Sequence, residues 1–375
     1  MSLNVKRDLV RKFEFFSIKE GGDSGRGLYQ EALFINFKTK GGIVMKKEFR
    51  ISYLVVFSLV ICISLFFLTP AHAKGSLVGY TAASGSIEAI YVNAFKKKYP
   101  DIEIKTMNFS SAPVTSRLIA EKSNPQCDVI FGLMEIYLKT LKNAGAIEPY
   151  ERKEAGKIGK EFKDPDGFFL NEYVSLMAFG SNTKLLKEKN LPAPKTWDDL
   201  AKPIYKGMIN VASPAQSGTA LTIFTNFYDM YNGWDYIDKL HKNIFQYNSS
   251  GGVAGRQAAR GECVIGMTYD FALLLLKNEG FPLEVVYPPK TSYAAEGSAL
   301  IHGAKNPAEA KLFLDFLVSK EMMELVGKEV TVVTRTDVKL PEAWKPQISK
   351  LDLYKLKKDY DTTKFADEWS KRYSK

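Results

Sequence analysis

Strand-like and helix-like segments alternate along most of this chain, and this alternation limits the possible folds more than any other feature. The apolar run SLVGYTA precedes a helix-like segment that ends near Tyr99, and DIEIKTMNF precedes APVTSRLIAEK. The same order recurs in INVASP followed by GTALTIFTNFYDMY. Strands that alternate with helices pack into largely parallel sheets covered by helices. The sequence therefore predicts an α/β fold.

Two extended segments interrupt this alternation and predict a division into two lobes. The apolar run at residues 173–182 follows a loop rich in Lys, Asp and Gly, so we expect a strand that crosses between lobes. A second crossing is expected near residues 287–295. The charged C-terminal tail has a helical pattern, and Trp344 and Trp369 are expected to pack it onto the body. The predicted units are lobe 1 (residues 74–178 and about 292–325), lobe 2 (179–291) and a C-terminal helical segment (326–375).

Residues 45–73 have the three parts of a secretory signal peptide. A basic start is followed by an apolar run to Leu68, and Ala71-His72-Ala73 supplies small residues at a cleavage point. Cleavage there predicts a protein that is exported to the periplasm. The alternative is an uncleaved membrane anchor, because the apolar run approaches the length of roughly 17–25 residues that spans a bilayer. Residues 1–44 precede this complete signal, so we expect a misassigned translation start or a disordered extension.

The charge and the cysteines of the chain exclude some classes of protein. The formal net charge is +10, and part of this excess lies before residue 74. Basic residues are scattered rather than gathered in a stripe, so we expect no nucleic-acid binding. A mild basic excess suits an anionic ligand without requiring one. Beyond the predicted cleavage point the chain contains two cysteines, Cys127 and Cys263, and each precedes an apolar strand-like run, so two buried thiols are expected rather than a disulfide.

Four predicted helix starts follow strand-like runs and are rich in Ser, Thr and Gly. A helix N-terminus carries unpaired N–H groups and about half a positive charge, so it binds phosphate, phosphonate or carboxylate well. In open α/β sheets ligands bind beyond the carboxyl ends of the strands, where these loops would gather. The alternative is structural, because Ser and Thr are also the usual N-caps of helices. The four starts are Thr81–Ser86, Ser110–Ser111, Ser217–Thr219 and Ser249–Gly252.

Several longer motifs resemble those of the periplasmic solute-binding proteins of ABC importers. They include LPAPKTWDDLAKPIYKGMINVASPAQSGTA and ARGECVIGMTYDFA, and the resemblance covers nearly all of residues 74–340. The group concerned holds ferric-iron binders and relatives that bind aminoethylphosphonate or hexose phosphates. The resemblance implies a type II periplasmic binding protein fold, in which two α/β lobes joined by crossing hinge strands close over the ligand. It also implies a monomer without enzyme activity or cofactor, which delivers a small anionic solute to an inner-membrane permease and ATPase.

The ligand class depends on residues that differ within this group. Ferric-iron members with protein-only ligation use two adjacent tyrosines, whereas residues 267–271 here read Met-Thr-Tyr-Asp-Phe. His241 and His302 lie in core-like patterns, and both are expected to be structural. Direct iron binding is therefore disfavoured, while iron held together with a bound anion stays an alternative. Polyamine or sugar binding is a second alternative, and an enzyme is disfavoured because no Gly-x-Ser-x-Gly elbow is present.

The phosphonate- and sugar-phosphate-binding relatives imply a set of ligand contacts in this chain. In those proteins hydroxyls and backbone amides at helix starts hold the phosphoryl group, and acidic residues bind the rest of the ligand. Asp270 and Glu296 would accept from sugar hydroxyls or pair with an amine, and Tyr269 would wall the cleft. The alternatives are that Asp270 caps a helix and that Glu296 is exposed to solvent. The residues assigned to the anion are Thr81, Ser84, Ser111, Ser217, Gly218 and Thr219.

Overall fold

The computed structural model describes residues 75–340, 350–357 and 360–373. Residues 1–44, the predicted signal peptide at 45–73 and Trp344 lie outside these ranges, so the expectations for them stay predictions. In the described part of the chain, no helix combines the length and the apolar composition that crossing a membrane requires.

Eleven strands and twelve α-helices make up the described ranges. The strands are β1 (Gly75–Thr81), β2 (Ile102–Asn108), β3 (Val129–Met134), β4 (Ile147–Glu148), β5 (Phe169–Asn182), β6 (Ile209–Ala212), β7 (Ile244–Asn248), β8 (Ile265–Tyr269), β9 (Leu283–Val286), β10 (Tyr293–Ile301) and β11 (Val332–Val333). The helices are α1 (Gly85–Lys98), α2 (Ser111–Ala120), α3 (Glu135–Asn143), α4 (Thr183–Glu188), α5 (Trp197–Leu200), α6 (Gly218–Met230), α7 (Asp235–His241), α8 (Val253–Arg260), α9 (Asp270–Asn278), α10 (Pro307–Leu317), α11 (Lys320–Val326) and α12 (Thr362–Tyr373). Short 3₁₀ helices lie at Ala155–Lys157, Lys160–Phe162 and Pro203–Tyr205.

The strands form two parallel groups joined by two long antiparallel strands. In the first group β1 pairs in parallel with β2 and β3, and in the second β6 pairs in parallel with β7 and β8. The full order is β2-β1-β3-β10-β5-β8-β6-β7, with β4 beside β10 and with β9 and β11 beside β5. The predicted α/β fold is confirmed. Its sheet is mixed because the joining strands β5 and β10 run antiparallel to their neighbours.

Strand β5 carries the chain from the first parallel group to the second. Residues 169–176 pair with β10, whereas residues 177–181 pair with β8. All 14 residues of the strand are buried. The predicted crossing at residues 173–182 lies within this strand, and the second predicted crossing, at 287–295, falls on the return from β9 to β10. The exact lobe boundaries stay a prediction.

Helix α1 shows how a sequence pattern positions a helix start. Ile87, Tyr91 and Phe95 recur at four-residue spacing and are fully buried on one face. Phe95 packs edge-on against Phe313 of α10, with ring centroids 5.0 Å apart. Because only three residues separate β1 from α1, this packing fixes the first turn of α1 beside the end of β1.

Both cysteines in the described ranges are buried free thiols, as predicted. Burial raises the pKa of the Cys263 thiol to about 12, and it also raises the pKa of the Cys127 thiol. Each lies just before a central strand, where it fills space as a small apolar side chain.

The C-terminal tail packs on the second parallel group through α12. Trp369 is 1% exposed, and its ring centroid lies 4.9 Å from that of Tyr247 on β7 and 6.1 Å from that of Phe224 on α6. Asp229 of α6 accepts a hydrogen bond from Tyr354 Oη at 2.8 Å. The prediction that Trp369 packs the tail onto the body is confirmed.

Trp369→Ala should lower the free energy of unfolding by about 3–5 kcal/mol, because it leaves a cavity among packed aromatic rings. Lys364→Ala is the matched control, since the Lys364 side chain on the same helix is 85% exposed. That change should alter the free energy by less than about 0.5 kcal/mol. Urea denaturation followed by far-UV circular dichroism measures both, and equal midpoints for Trp369→Ala and the unchanged protein would contradict the packing role.

Candidate functional site

One cavity lies where the strands of both parallel groups end and the next helices begin. Its volume is about 70 Å³, and it is partly open to solvent. Six helices begin there, namely α1, α2, α3, α6, α8 and α9, each following a strand of a parallel group. Their N-cap residues all belong to the cavity lining and are Ser84, Ser110, Met134, Ser217, Gly252 and Tyr269. The positive ends of six helix dipoles therefore face one space.

These helix starts supply hydrogen-bond donors rather than formal charges. At α2, α3, α8 and α9 the N-cap side chain makes no capping bond, so first-turn N–H groups are left for other acceptors. Ser84 Oγ accepts from Ile87 N, and Ser217 Oγ accepts from Ala220 N, both at 3.4 Å. A hydroxyl that accepts such a bond keeps its own O–H to donate. The lining contains no Lys, Arg or His side chain.

Six of the nine predicted site residues line this cavity, and three do not. The six are Ser84, Ser111, Ser217, Thr219, Tyr269 and Glu296. The three that lie outside the lining are Thr81, Gly218 and Asp270. Direct contact with a ligand stays a prediction for all nine.

Thr81 and Gly218 make close packing contacts outside the lining. Thr81 is fully buried, and its Oγ1 donates to Phe131 O at 2.9 Å and accepts from Ala83 N at 3.0 Å. Its hydroxyl therefore ties the end of β1 to β3. A methyl group placed on Gly218 would lie 2.6 Å from Met134 Sδ, so a larger residue at this position would force the Met134 side chain to move.

Loops from the two parallel groups are hydrogen-bonded to each other beside the cavity. Ser110 Oγ, at the start of α2, donates to Ser249 O at 2.9 Å. Ala112 N, in the first turn of the same helix, donates to Gln216 O at 3.4 Å. Since α2 belongs to the first group and both acceptors belong to the second, these bonds hold the two sides of the cavity together.

Glu296, on β10, is the acidic side chain of the lining. It is 6% exposed, so the alternative that it lies in solvent is wrong. Its carboxylate accepts hydrogen bonds from Tyr173 Oη at 2.6 Å and from Ser175 Oγ. Burial is the main cause that raises its pKa to about 7, and the charges of Glu172 and Asp270 add to the effect. Near neutral pH this group can therefore accept or donate a hydrogen bond.

Asp270 lies behind the cavity rather than in its lining. The N-cap of α9 is Tyr269, so Asp270 is the first helical residue and not the cap. Its carboxylate accepts from Leu176 N at 3.1 Å, from Tyr287 Oη at 3.2 Å and from Thr331 Oγ1. Burial raises its pKa to about 6. These bonds join α9 to β5 and to the segment that returns to β10.

A third buried carboxylate, Glu172 on β5, extends this acidic region. Arg152 Nη1 donates to Glu172 Oε1 at 2.8 Å, and Ser298 Oγ donates to the same oxygen. Burial raises the pKa of Glu172, although the positive charge of Arg152 opposes the effect. The Oε2 atom has no hydrogen-bond partner among the described residues. Three buried carboxyl groups, those of Glu172, Asp270 and Glu296, therefore lie in and near the cavity wall, and Arg152 pairs with the first of them.

The histidines do not contribute to the cavity. His241 stacks on Tyr247 with ring centroids 5.8 Å apart, and His302 Nδ1 lies 3.2 Å from Glu148 Oε2. Neither belongs to the lining. Across residues 75–340, 350–357 and 360–373, no group of three or more His, Cys, Asp or Glu side chains is arranged to hold a metal ion.

Asn108 and Met134 are among the lining residues that the sequence analysis did not single out. Asn108 ends β2, and its Nδ2 donates to Ala83 O at 3.0 Å and to Glu88 Oε2 at 2.7 Å. Met134 is the N-cap of α3 but has no side chain that can cap a helix, so this helix start carries no capping signal in the sequence. The alternation of strands and helices is the signal that could have found both, because it places every strand end at the same edge.

Comparison with known proteins gives the family of the chain. The sequence profile described as Bacterial extracellular solute-binding protein matches residues 124–359. The chain belongs to this family of solute-binding proteins. A protein from Haemophilus influenzae is 35% identical to this binding protein over 301 residues, which cover 77% of this chain and 87% of that protein.

Solved structures share the fold of this binding protein. The periplasmic binding protein AfuA from Actinobacillus pleuropneumoniae, solved with fructose 6-phosphate bound, has a TM-score of 0.75 at 31% identity, and the match covers 80% of this chain and 99% of that chain. Iron-bound HitA from Pseudomonas aeruginosa has a TM-score of 0.69 at 20% identity, over 80% of this chain and 100% of that chain. The resemblance to periplasmic binding proteins and the predicted type II two-lobed fold are confirmed.

Glu296→Gln should remove a pH dependence from the stability of this binding protein. The pKa of Glu296 rises from 4.5 to about 7 on folding, so the folded state holds this proton more tightly than the unfolded state. The resulting stability is present below pH of about 4.5 and is lost as the pH rises to about 7. The free energy of unfolding should therefore fall relative to the variant across this range, by up to about 3 kcal/mol.

Denaturation at a series of pH values measures this difference, with Glu103→Gln as the control because the Glu103 side chain is 57% exposed. Parallel pH profiles for the unchanged protein and Glu296→Gln would show that this carboxyl does not titrate in the range.

Gly251→Ala should destabilise the loop that faces the start of α6. A methyl group there would lie 2.8 Å from Thr219 Cβ and 3.3 Å from Ser217 Oγ, and such overpacking costs about 1–3 kcal/mol. Gly156→Ala is the matched control, since a methyl group on Gly156 meets no atom within 4 Å. Chemical denaturation measures both, and equal stability of the two variants would refute the close approach of Gly251 to Thr219.

Proposed function

We propose that this binding protein captures a small phosphorylated or phosphonate organic anion in the periplasm and presents it to the permease and ATPase of an ABC importer. The observation that carries the proposal is the meeting of six helix starts at one cavity. The family assignment supports the coarser statement, that the chain is a solute-binding component of an importer. It would act as a monomer that closes around its solute without changing it chemically.

A phosphoryl group suits the donors of this cavity. Its oxygens accept several hydrogen bonds at once, and the lining offers the hydroxyls of Ser84, Ser111, Ser217 and Thr219 beside backbone N–H groups. Hydrogen bonds to a charged partner contribute about 1.5–3 kcal/mol each. Helix dipoles add to this because their positive ends face the same space. An anion can thus be held without a basic side chain in the lining.

The organic part of the ligand would lie against Glu296 and three aromatic rings. Phe109, Tyr269 and Phe271 belong to the lining and provide apolar walls. Glu296 can accept from a hydroxyl or an ammonium group when ionised, and it can donate when protonated. This combination suits a hydroxylated or amine-bearing organic group. The 31% identity to AfuA, which was solved with fructose 6-phosphate, supports a sugar phosphate.

Ferric iron with a bound anion and a polyamine or sugar are the alternative ligands. The polar groups of the lining are mainly neutral hydroxyls and amides, which suit an anion better than a hard trivalent cation. A polyamine would need several carboxylates, whereas Glu296 alone supplies one in the lining. The likeness to iron-bound HitA, at 20% identity, supports the fold and no particular ligand.

Replacing Ser217 and Thr219 by alanine together should weaken the binding of a phosphorylated ligand by about 3–6 kcal/mol if each donates one hydrogen bond to the anion. Isothermal titration calorimetry with the ligand selected below measures the change. Ser319→Ala is the control, because Ser319 caps α11 through Met322 N and lies outside the cavity lining. It reproduces the loss of a helix cap without the loss of a cavity hydroxyl.

A thermal-shift screen of the purified protein selects the ligand class. The compounds are hexose phosphates, aminoethylphosphonate, inorganic phosphate, spermidine, and ferric salts with and without carbonate. Stabilisation by phosphate esters or phosphonates supports the proposal. Stabilisation by ferric salts or spermidine alone would replace it with the corresponding alternative, and unchanged affinity in the double alanine variant would reject the two hydroxyl contacts.

A further inference from the structure

Arg256 brings a cation next to a cavity whose lining has none. It is the fourth residue of α8, the helix whose N-cap is Gly252. A methyl group placed on Gly252 would lie 2.8 Å from Tyr269 Oη and 3.2 Å from Arg256 Nη1. Gly252 and Tyr269 both line the cavity, so the guanidinium lies immediately beside the lining. Its side chain is exposed to solvent.

The position of Arg256 is electrostatically unfavourable for its own helix. The N-terminal end of a helix carries partial positive charge, so a cation is disfavoured there. The first turn of α8 contains no acidic residue that would offset it. Within the described ranges, the arginines that form ion pairs are Arg117, Arg152, Arg335 and Arg372. An anion bound at the start of α8 would remove this conflict.

Arg117 also lies near the cavity, but its charge is already matched. Its guanidinium carbon lies 5.3 Å from the ring centroid of Phe109, a lining residue. Its Nε donates to Glu121 Oε1 at 2.7 Å. Arg256 is therefore the better source of positive charge for a ligand in the cavity.

The charges of Glu296 and Arg256 have opposite effects on the pKa of Tyr269, a lining residue. Burial raises the pKa of Tyr269, the negative charge of Glu296 raises it further, and the positive charge of Arg256 lowers it. The cavity therefore combines an acidic group in its lining, Glu296, with a basic group beside the lining, Arg256. A ligand that carries both an anionic group and a polar organic group matches these two side chains.

We propose that Arg256 is the charge-selecting residue of this site, where its guanidinium pairs with phosphoryl oxygens at the start of α8 and favours dianionic over monoanionic ligands. The inference rests on the proposed function and deepens it by naming the charge state of the ligand. Hydroxyls and backbone N–H groups bind a tetrahedral oxyanion of either charge. A full positive charge interacts more strongly with the second negative charge and can form two parallel hydrogen bonds.

The test compares two ligands of the same shape and different charge. Fructose 6-phosphate is largely a dianion at pH 8, since the second pKa of a phosphate ester is about 6, whereas fructose 6-sulfate is a monoanion. Isothermal titration calorimetry gives both dissociation constants for the unchanged protein, Arg256→Gln and Arg256→Lys. Arg260→Gln is the matched control, because Arg260 is an exposed arginine at the other end of the same helix.

Arg256→Gln should weaken binding of fructose 6-phosphate by about 10- to 100-fold and should weaken binding of the sulfate much less, so the preference for phosphate shrinks. Arg256→Lys should keep part of the preference, since it retains the charge but not the planar fork. Arg260→Gln should leave both constants within about twofold. Thermal denaturation without ligand checks that all variants fold.

An equal phosphate-to-sulfate preference in Arg256→Gln and the unchanged protein would overturn this inference and leave the proposed function standing. An equal loss of preference in Arg260→Gln would also overturn it, because the effect would then come from general surface charge. Failure of the unchanged protein to bind either ester, together with stabilisation by spermidine or ferric salts, would overturn the proposed function and this inference with it.

Discussion

Parallel strands end at one edge of their sheet, and the helices that follow them have to begin there. This constraint produces the cavity. β1, β2 and β3 bring three helix starts together, β6, β7 and β8 bring three more, and β5 and β10 join the two groups. Positive helix ends that share one space repel each other. An anion between them would relieve the repulsion, so the topology supports the proposed anionic ligand before any side chain is considered.

Three buried carboxyl groups on and beside the joining strands make one part of the site acidic. Glu172, Asp270 and Glu296 are buried, and removing three ionised groups from water would be costly. Protonation lowers that cost because it neutralises the carboxylates. Burial accordingly raises the pKa of Asp270 to about 6 and that of Glu296 to about 7. The joining strands therefore hold weak acids, while the helix starts hold donors. A solute with an anionic end and a polar uncharged or cationic end matches this gradient.

The parts of the site that the sequence predicts are those that depend on local chemistry. Ser84 and Ser217 follow strand-like runs, and both cap helices at the cavity. Met134 could not be found in this way, because a methionine at a helix start has no capping preference. Asp270 follows a lining residue directly, yet its carboxylate turns to Thr331, which lies far away in sequence. Such a direction is set by tertiary packing, and no pattern of neighbouring residues contains it.

The buried thiols of Cys127 and Cys263 make this protein suitable for fluorescent labelling at a single introduced cysteine. Alkylating dyes attack the thiolate form, and burial keeps both Cys127 and Cys263 protonated and covered. A new cysteine at Ser86, an exposed position in the first turn of α1, would therefore take up a maleimide fluorophore far faster than Cys127 or Cys263. The emission of such a conjugate would report solute capture in real time without prior removal of Cys127 and Cys263.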